Sequence, residues 1–134
     1  MFRYLLDTNI CIFLLRGRSE VITQIEKVGI DSCAISEITV AELFYGLECA
    51  KDSISQRKQV EEFCKSISVL PISTSLKIYA RQKAELRSQG MLIDDLDLLI
   101  GSTAIAYDLT LVTDNTRHFE RLPIQQTNWI SRHK

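Results

Sequence analysis

The stretch Phe2-Arg3-Tyr4-Leu5-Leu6-Asp7-Thr8-Asn9-Ile10-Cys11-Ile12-Phe13-Leu14-Leu15-Arg16-Gly17 joins a short apolar run to a longer one through a single acid. Its spacing predicts a strand over Phe2 to Leu6 and an apolar helix from Thr8 through Leu15, ended by Gly17. The same alternation continues downstream. Val21, Ile22, Ile25 and Val28 recur at helical spacing before Gly29, and a second strand is expected over Ser32 to Ile35. Ser36 is placed to cap a helix over Glu37 to Leu47 that carries Val40, Leu43, Phe44 and Leu47 on one face.

A charged helix over Ser55 to Ser66 follows, with Val60, Phe63 and Cys64 inward, and then a strand over Ser68 to Ile72 that Pro71 breaks. A long amphipathic helix is expected over Ser75 to Ser88, closed by Gly90. A nearly all-apolar helix over Asp95 to Tyr107 leads into a strand, Thr110 to Thr113, that ends at Asp114-Asn115. Short strands alternating with longer helices predict an α/β domain with a parallel sheet.

A length of 134 residues predicts one domain spanning 1–134, and 46% hydrophobic with 25% charged residues is ordinary globular usage. A formal charge of -1 excludes a global positive field, so a polyanion would have to meet a local basic patch. Cys11, Cys33, Cys49 and Cys64 form no CxxC pair, and the two histidines stand near the C-terminus, which argues against zinc fingers. Each cysteine lies among apolar residues, as expected of reduced thiols in a core, and this points to the cytoplasm. Asp7 arrives before a signal-peptide apolar region could form, and no run approaches the roughly 18 apolar residues of a membrane span. A soluble protein without a membrane segment is therefore expected.

Three runs plant acids where burial is expected: Leu5-Leu6-Asp7-Thr8-Asn9, Ile38-Thr39-Val40-Ala41-Glu42-Leu43, and Asp94-Asp95-Leu96-Asp97-Leu98-Leu99-Ile100-Gly101. None contains Lys, Arg or His. A buried carboxylate protonates, pairs with a cation or coordinates a metal. In a parallel sheet, Asp7 and Asp114 both lie at carboxyl ends of strands, the rim where open α/β sheets bind ligands. Helices starting from that rim would bring Glu42 and Asp97 over it, so that four acids meet in one pocket.

Each acid has a structural use beside the functional one. Asp7 before an apolar helix is also an N-cap, and the two roles are compatible. Glutamates on helices are mostly solvated, but the neighbours Ile38, Tyr45 and Gly46 favour a role for Glu42. Asp97 has Ile93, Ile100 and Gly101 around it, so a structural role would need a distant Arg or Lys. Asp94 reads as a helix N-terminal acid favoured by the macrodipole, and Asp95 reads the same way unless the helix starts late. Asp114-Asn115 are also ordinary turn residues, whose functional reading depends on the other three acids. Clustered carboxylates repel unless a cation lies between them, and hard oxygen ligands without His or Cys point to Mg²⁺ or Mn²⁺. Phosphodiester hydrolysis uses such an ion.

Leu5-Leu6-Asp7-Thr8-Asn9, Ile38 through Gly46, Gly90 followed by Asp97-Leu98-Leu99-Ile100-Gly101-Ser102-Thr103-Ala104, and Leu109 through Phe119 resemble, in order, the motifs of PIN-domain ribonucleases. More narrowly, the chain is similar to VapC-type toxins of bacterial toxin–antitoxin pairs. The resemblance covers essentially the whole chain and implies a compact three-layer α/β/α sandwich around a mostly parallel sheet. It also implies a Mg²⁺-dependent endoribonuclease, with Mn²⁺ able to substitute.

Under the resemblance, Asp7 and Asp97 are direct metal ligands. Glu42 holds a metal-bound water or helps to activate the nucleophile, Asp95 or Asp114 could act through water, and Thr8 orients Asp7. With Thr113 aligned, Asn115 occupies the place often taken by an Asp and Asp114 stands one residue early, so the second-metal position is where this chain departs from the family. The resemblance further implies a VapB-like antitoxin that occupies a toxin groove, a homodimer, operator DNA bound only through the antitoxin, and structured RNA, with tRNA a recurrent target. Arg16, Arg18, Arg117 and Arg121 are the candidates for RNA phosphate contact, with surface solvation as their other use.

Two other readings compete. A phosphoacceptor signalling domain is also a small α/β unit with strand-end acids, but such domains carry an adjacent acid pair after the first strand and a Lys after the last. Here Asp7 stands alone, and no Lys follows Val112-Thr113. A catalytically silent PIN-like interaction module is the second, motivated by Asn115.

Overall fold

The computed structural model describes residues 1–51 and 54–131. Its elements are β1 (Tyr4–Leu6), α1 (Thr8–Leu15), α2 (Ser19–Val28), β2 (Cys33–Ser36), α3 (Glu37–Cys49), α4 (Ile54–Ser66), β3 (Ser68–Leu70), α5 (Leu76–Ser88), α6 (Asp95–Tyr107), β4 (Thr110–Val112), α7 (Thr116–Phe119) and β5 (Gln126–Thr127). The strands form one sheet in the order β3-β2-β1-β4-β5, and every pairing is parallel. From β1 the chain runs outward to β2 and β3, then crosses back to build β4 and β5 on the other side. The order therefore reverses between β1 and β4, and a crevice opens at the carboxyl ends of those two strands.

The register explains the layers. Leu5 lies opposite Ala34 and Leu111, while Leu6 lies opposite Val112. Successive strand residues face opposite sides. Leu5, Ala34 and Leu111 accordingly pack with Leu86, Leu98, Ile100 and Phe119 from α5, α6 and α7. Leu6, Cys33, Ile35 and Val112 pack with Ile10, Val21, Leu43 and Phe63 from α1 to α4. Two apolar cores sandwich the sheet, which is the expected α/β/α arrangement.

Several boundaries shift for identifiable reasons. β1 begins at Tyr4 rather than Phe2, and β2 begins at Cys33 because Ile30–Ser32 form a 3₁₀ turn after Gly29. Gly29 has φ +88° and Gly90 has φ +68°, a left-handed backbone that only glycine adopts without strain, and both stop helices as the sequence indicates. β3 stops at Leu70, before the proline that has no N–H to donate. Ser73–Ser75 form a 3₁₀ turn, so α5 starts at Leu76. The short elements α7 and β5 were not expected, because neither has the length to show a period.

Ser36 caps α3 by accepting from the Ile38 N–H at 3.0 Å. Asp94 caps α6 by accepting from the Leu96 and Asp97 N–H groups at 3.1 and 3.4 Å. All four cysteines are free, and Cys11 and Cys33 are buried as expected. Cys49 corrects that expectation: it lies exposed in the last turn of α3, beyond the packed face. Among the described residues, no helix is long and apolar enough to cross a membrane.

Replacing Asp94 with Ala should cost about 1 kcal/mol of stability, the usual worth of an N-cap, read as a lower urea midpoint at unchanged slope. An unchanged midpoint would show that the two hydrogen bonds at the start of α6 contribute nothing net.

Candidate active site

Asp7 immediately follows β1, and Thr113 immediately follows β4 at the adjacent strand end. The Asp7 side chain is 4% exposed. Its Oδ1 accepts from the Thr8 N–H at 2.8 Å and its Oδ2 from the Thr113 hydroxyl at 2.7 Å. The Thr113 oxygen in turn accepts from the Asn115 N–H at 2.9 Å. Both oxygens of Asp7 are thus fixed by donors from the two strands that flank the crevice.

Burial pushes the Asp7 carboxyl up to about 6, against the lowering pull of the Thr113 and Thr8 donors. The negative charges of Asp97 and Glu42 raise it further. Both acids therefore stand near enough to Asp7 for their charges to act on it. The Cys11 thiol lies fully buried close to Asp7, and burial, with that acid's charge, raises it well above the ordinary thiol range.

Glu42 projects from α3 and is tied to the start of α1: its Oε1 accepts from the Thr8 hydroxyl at 2.6 Å. The Thr8 oxygen lies 3.0 Å from that of Thr39, a buried residue of α3. Thr8 therefore touches Asp7 only through its backbone N–H, and its hydroxyl serves Glu42 instead. That N–H gives Thr8 its contact with Asp7, the residue it is expected to orient.

Asp97 sits in the first turn of α6, where the helix N-terminus favours negative charge, and its side chain is 23% exposed. Its Oδ2 is 3.2 Å from Nδ1 of His118, and the side-chain amide of Asn115 lies 2.8 Å from the same nitrogen. Nδ1 can donate to the Asp97 carboxylate or accept from Asn115 Nδ2, according to the tautomer of the ring. His118 was not among the expected site residues. The three runs lack Lys, Arg and His along the sequence, but in space His118 stands against Asp97. The one-turn spacing of Asn115 and His118 on either side of the α7 start was the signal available.

The remaining expected residues separate. Asp114, one residue past Thr113, accepts through Oδ1 from Asn128 Nδ2 at 3.0 Å, and its N–H donates to Asn9 Oδ1 at 3.3 Å. Asp95 turns away to Lys83 at 2.8 Å and Tyr79 at 2.8 Å, and both partners hold its carboxyl below the usual range. Asp94 is engaged as the cap of α6. Arg18 pairs with Glu20 at 2.9 Å and lies over the Phe13 ring. Arg16 borders an apolar groove that it shares with Ile12, Glu42, Leu43, Gly46 and Leu47. Arg117 is exposed on α7 beside His118, and Arg121 is exposed next to Gln82 of α5 and Gln89 just after it. His133 lies outside the described residues.

A second apolar hollow, lined by Thr8, Ile12, Ile38, Ala41, Tyr45 and Leu96, meets the groove at Glu42. Tyr45 on its rim is 70% exposed. A hollow at the opposite end of β4, around Asp108, Leu109 and Pro123, is remote from the acids.

Among the described residues no three His, Cys, Asp or Glu side chains close into a ready-made metal cage. No Lys or Arg forms an ion pair with Asp7 or Glu42 among those residues either. The donor set suits a hard divalent cation held through one or two carboxylates with waters completing the shell, the usual mode for Mg²⁺.

The PIN domain family matches residues 4–125. The chain is 34% identical over 133 residues to ribonuclease VapC2 of Haemophilus influenzae, an alignment covering 97% of this chain and 100% of that protein. It is 34% identical over 131 residues to the tRNA(fMet)-specific endonuclease VapC of Salmonella typhimurium, covering 96% and 99%. Its fold superposes on VapBC2 from Rickettsia felis bound to a promoter DNA fragment with a TM-score of 0.89 and 31% identity, covering 96% of this chain and 100% of the other.

The raised carboxyl of Asp7 gives a pH signature to the metal-free protein. A folded-state value of about 6 against 3.8 means that the protonated form contributes stability fully below about pH 4, and that this is lost as pH rises through 6. The loss is on the order of 3 kcal/mol at 1.4 kcal/mol per unit. In EDTA, the stability of Asp7→Asn minus that of wild type should grow between pH 4 and 6 and level off above, as read by urea midpoints. A difference that does not vary with pH would mean that Asp7 ionises freely in the fold.

Proposed function

The chain belongs to the PIN-domain family, within its VapC branch, and from that premise we propose that it is a divalent-metal-dependent endoribonuclease, the toxin of a toxin–antitoxin pair. The convergence of Asp7, Glu42 and Asp97 at the β1–β4 crevice, with Asp7 buried and its charge uncompensated, carries this reading. The ion would be Mg²⁺, with Mn²⁺ as a substitute, held by Asp7 and Asp97. When bound there it supplies positive charge against the phosphate and acidifies water.

The residues of the chain do the rest. Thr8 and Thr113 hold the two oxygens of Asp7 at fixed positions, so that no reorganisation is needed when the charged form is used. Glu42, fixed through one oxygen by Thr8, offers the other to a water, orients it toward phosphorus and takes its proton. As the water oxygen bonds to phosphorus, one P–O ester bond breaks. His118 and Asn115 keep Asp97 oriented, and Asp114 and Asn115 form the edge of the site nearest Asn128. Arg117, beside His118, is the best placed of the four arginines to meet an RNA phosphate.

The whole chain acts as one PIN-like nuclease domain in the cytoplasm, and cleavage of a structured RNA, with tRNA first in line, inhibits translation. The name of the Salmonella relative supports tRNA as the substrate class. A VapB-like antitoxin would lay its C-terminal segment along the groove of Ile12, Leu43, Gly46 and Leu47 and bring a basic residue to Glu42. The toxin would dimerise, and operator DNA would be bound through the antitoxin alone. The Rickettsia complex with promoter DNA supports that assembly.

Purified, partner-free protein incubated with total cellular RNA in Mg²⁺ or Mn²⁺ should produce discrete cuts that EDTA abolishes. Asp7→Asn and Asp97→Asn should each reduce the rate at least a hundredfold while remaining folded, the scale expected for losing a positioned electrostatic group (about 10²–10³). Folded wild type that cuts nothing in any of these conditions would favour the silent interaction module.

A further inference from the structure

The hydroxyl contacts between α1 and α3 have only one consistent direction. Thr8 has a single hydroxyl proton and lies 2.6 Å from Glu42 Oε1. An ionised carboxylate has no proton to give, so Thr8 must donate to Glu42. The 3.0 Å contact between Thr8 and Thr39 then has only the Thr39 proton to fill it, and Thr39 donates to Thr8. The result is a one-way chain from Thr39 through Thr8 to Glu42. Donors that are themselves hydrogen-bonded polarise one another and strengthen.

We propose that Thr39, a fully buried residue behind the Thr8 hydroxyl, is a positioning residue that aims Glu42 through that hydroxyl. Thr39 and Glu42 lie three residues apart on α3, so they share one side of the helix. Thr8, from the first turn of α1, bridges between them. Glu42 is therefore clamped to its own helix by way of a neighbouring one. Without Thr39, the Thr8 oxygen is free to turn and the Oε1 contact loosens, while Asp7 keeps both of its donors.

The inference rests on the nuclease reading for its kinetic consequence, but the hydrogen-bond chain can be tested without it. Thr39→Val keeps the branched shape and removes the hydroxyl; Thr39→Ser restores it. With an RNA hairpin carrying a site mapped on total RNA, and saturating Mn²⁺, Thr39→Val should lower kcat about three- to tenfold at unchanged KM. That corresponds to losing one ordinary hydrogen bond. Thr39→Ser should recover most of the rate, and the two variants should share a Tm within a few degrees. In a Glu42→Gln background, Thr39→Val should add nothing.

In the metal-free protein, the slowly exchanging Thr8 hydroxyl proton should give a proton NMR resonance with a cross-peak to Thr39, present in wild type and Thr39→Ser and lost in Thr39→Val. A wild-type rate for Thr39→Val, a loss of the same size in the Glu42→Gln background, or a Thr8 resonance that survives the valine would each overturn the proposal. If the resonance behaves as expected while wild type cleaves no RNA, the positioning stands and the nuclease reading falls.

Discussion

The burial of one carboxylate between two parallel strands organises this molecule. Asp7 occupies the point where the strand order reverses, and the donors that hold it come from both sides of that point: Thr8 after β1 and Thr113 after β4. Because the two strands pair directly, with Leu6 opposite Val112, the separation of those donors is set by the sheet rather than by loops. A charge in that position costs stability, and the raised carboxyl of Asp7 is the direct sign of the cost. Functional sites commonly carry such a penalty because a group held ready in an unfavourable charge state interacts strongly with an arriving cation.

Around Asp7, the two faces of the sheet contribute differently. The α1–α4 side supplies Glu42 through a hydroxyl-bridged contact between α1 and α3. The α5–α7 side supplies Asp97 at the start of α6, with His118 and Asn115 beside it. Each acid thus has its own support, anchored in a separate apolar core. The apolar groove and hollow that meet at Glu42 add a surface on which a peptide partner could reach the acids without entering either core.

The helices and the parallel strands were legible because their signals are local. Helical apolar spacing behind a capping residue, Asp7, Ser36 or Asp94, fixed α1, α3 and α6 to within two residues. Asp7, Glu42 and Asp97 stood out as candidates because each interrupts an apolar pattern, which is costly without a reason. Asp95 shows where that logic stops: it stands two residues from Asp97, and Lys83 and Tyr79 claim it. The Asn128 that donates to Asp114 follows a two-residue strand with no period to read.

The sequence by itself determined the alternation of strands and helices, the parallel sheet and three acids set within apolar runs, since these depend on hydrophobic period, backbone preference and the cost of burying charge. Only the tertiary structure decided which neighbour each acid keeps. Thr8 serves Asp7 through its N–H and Glu42 through its hydroxyl, His118 reaches Asp97 across 21 residues, and Asn128 donates to Asp114. Hydrogen bonds act over about 3 Å, and which groups come that close follows from the packing of whole elements, which no local pattern encodes.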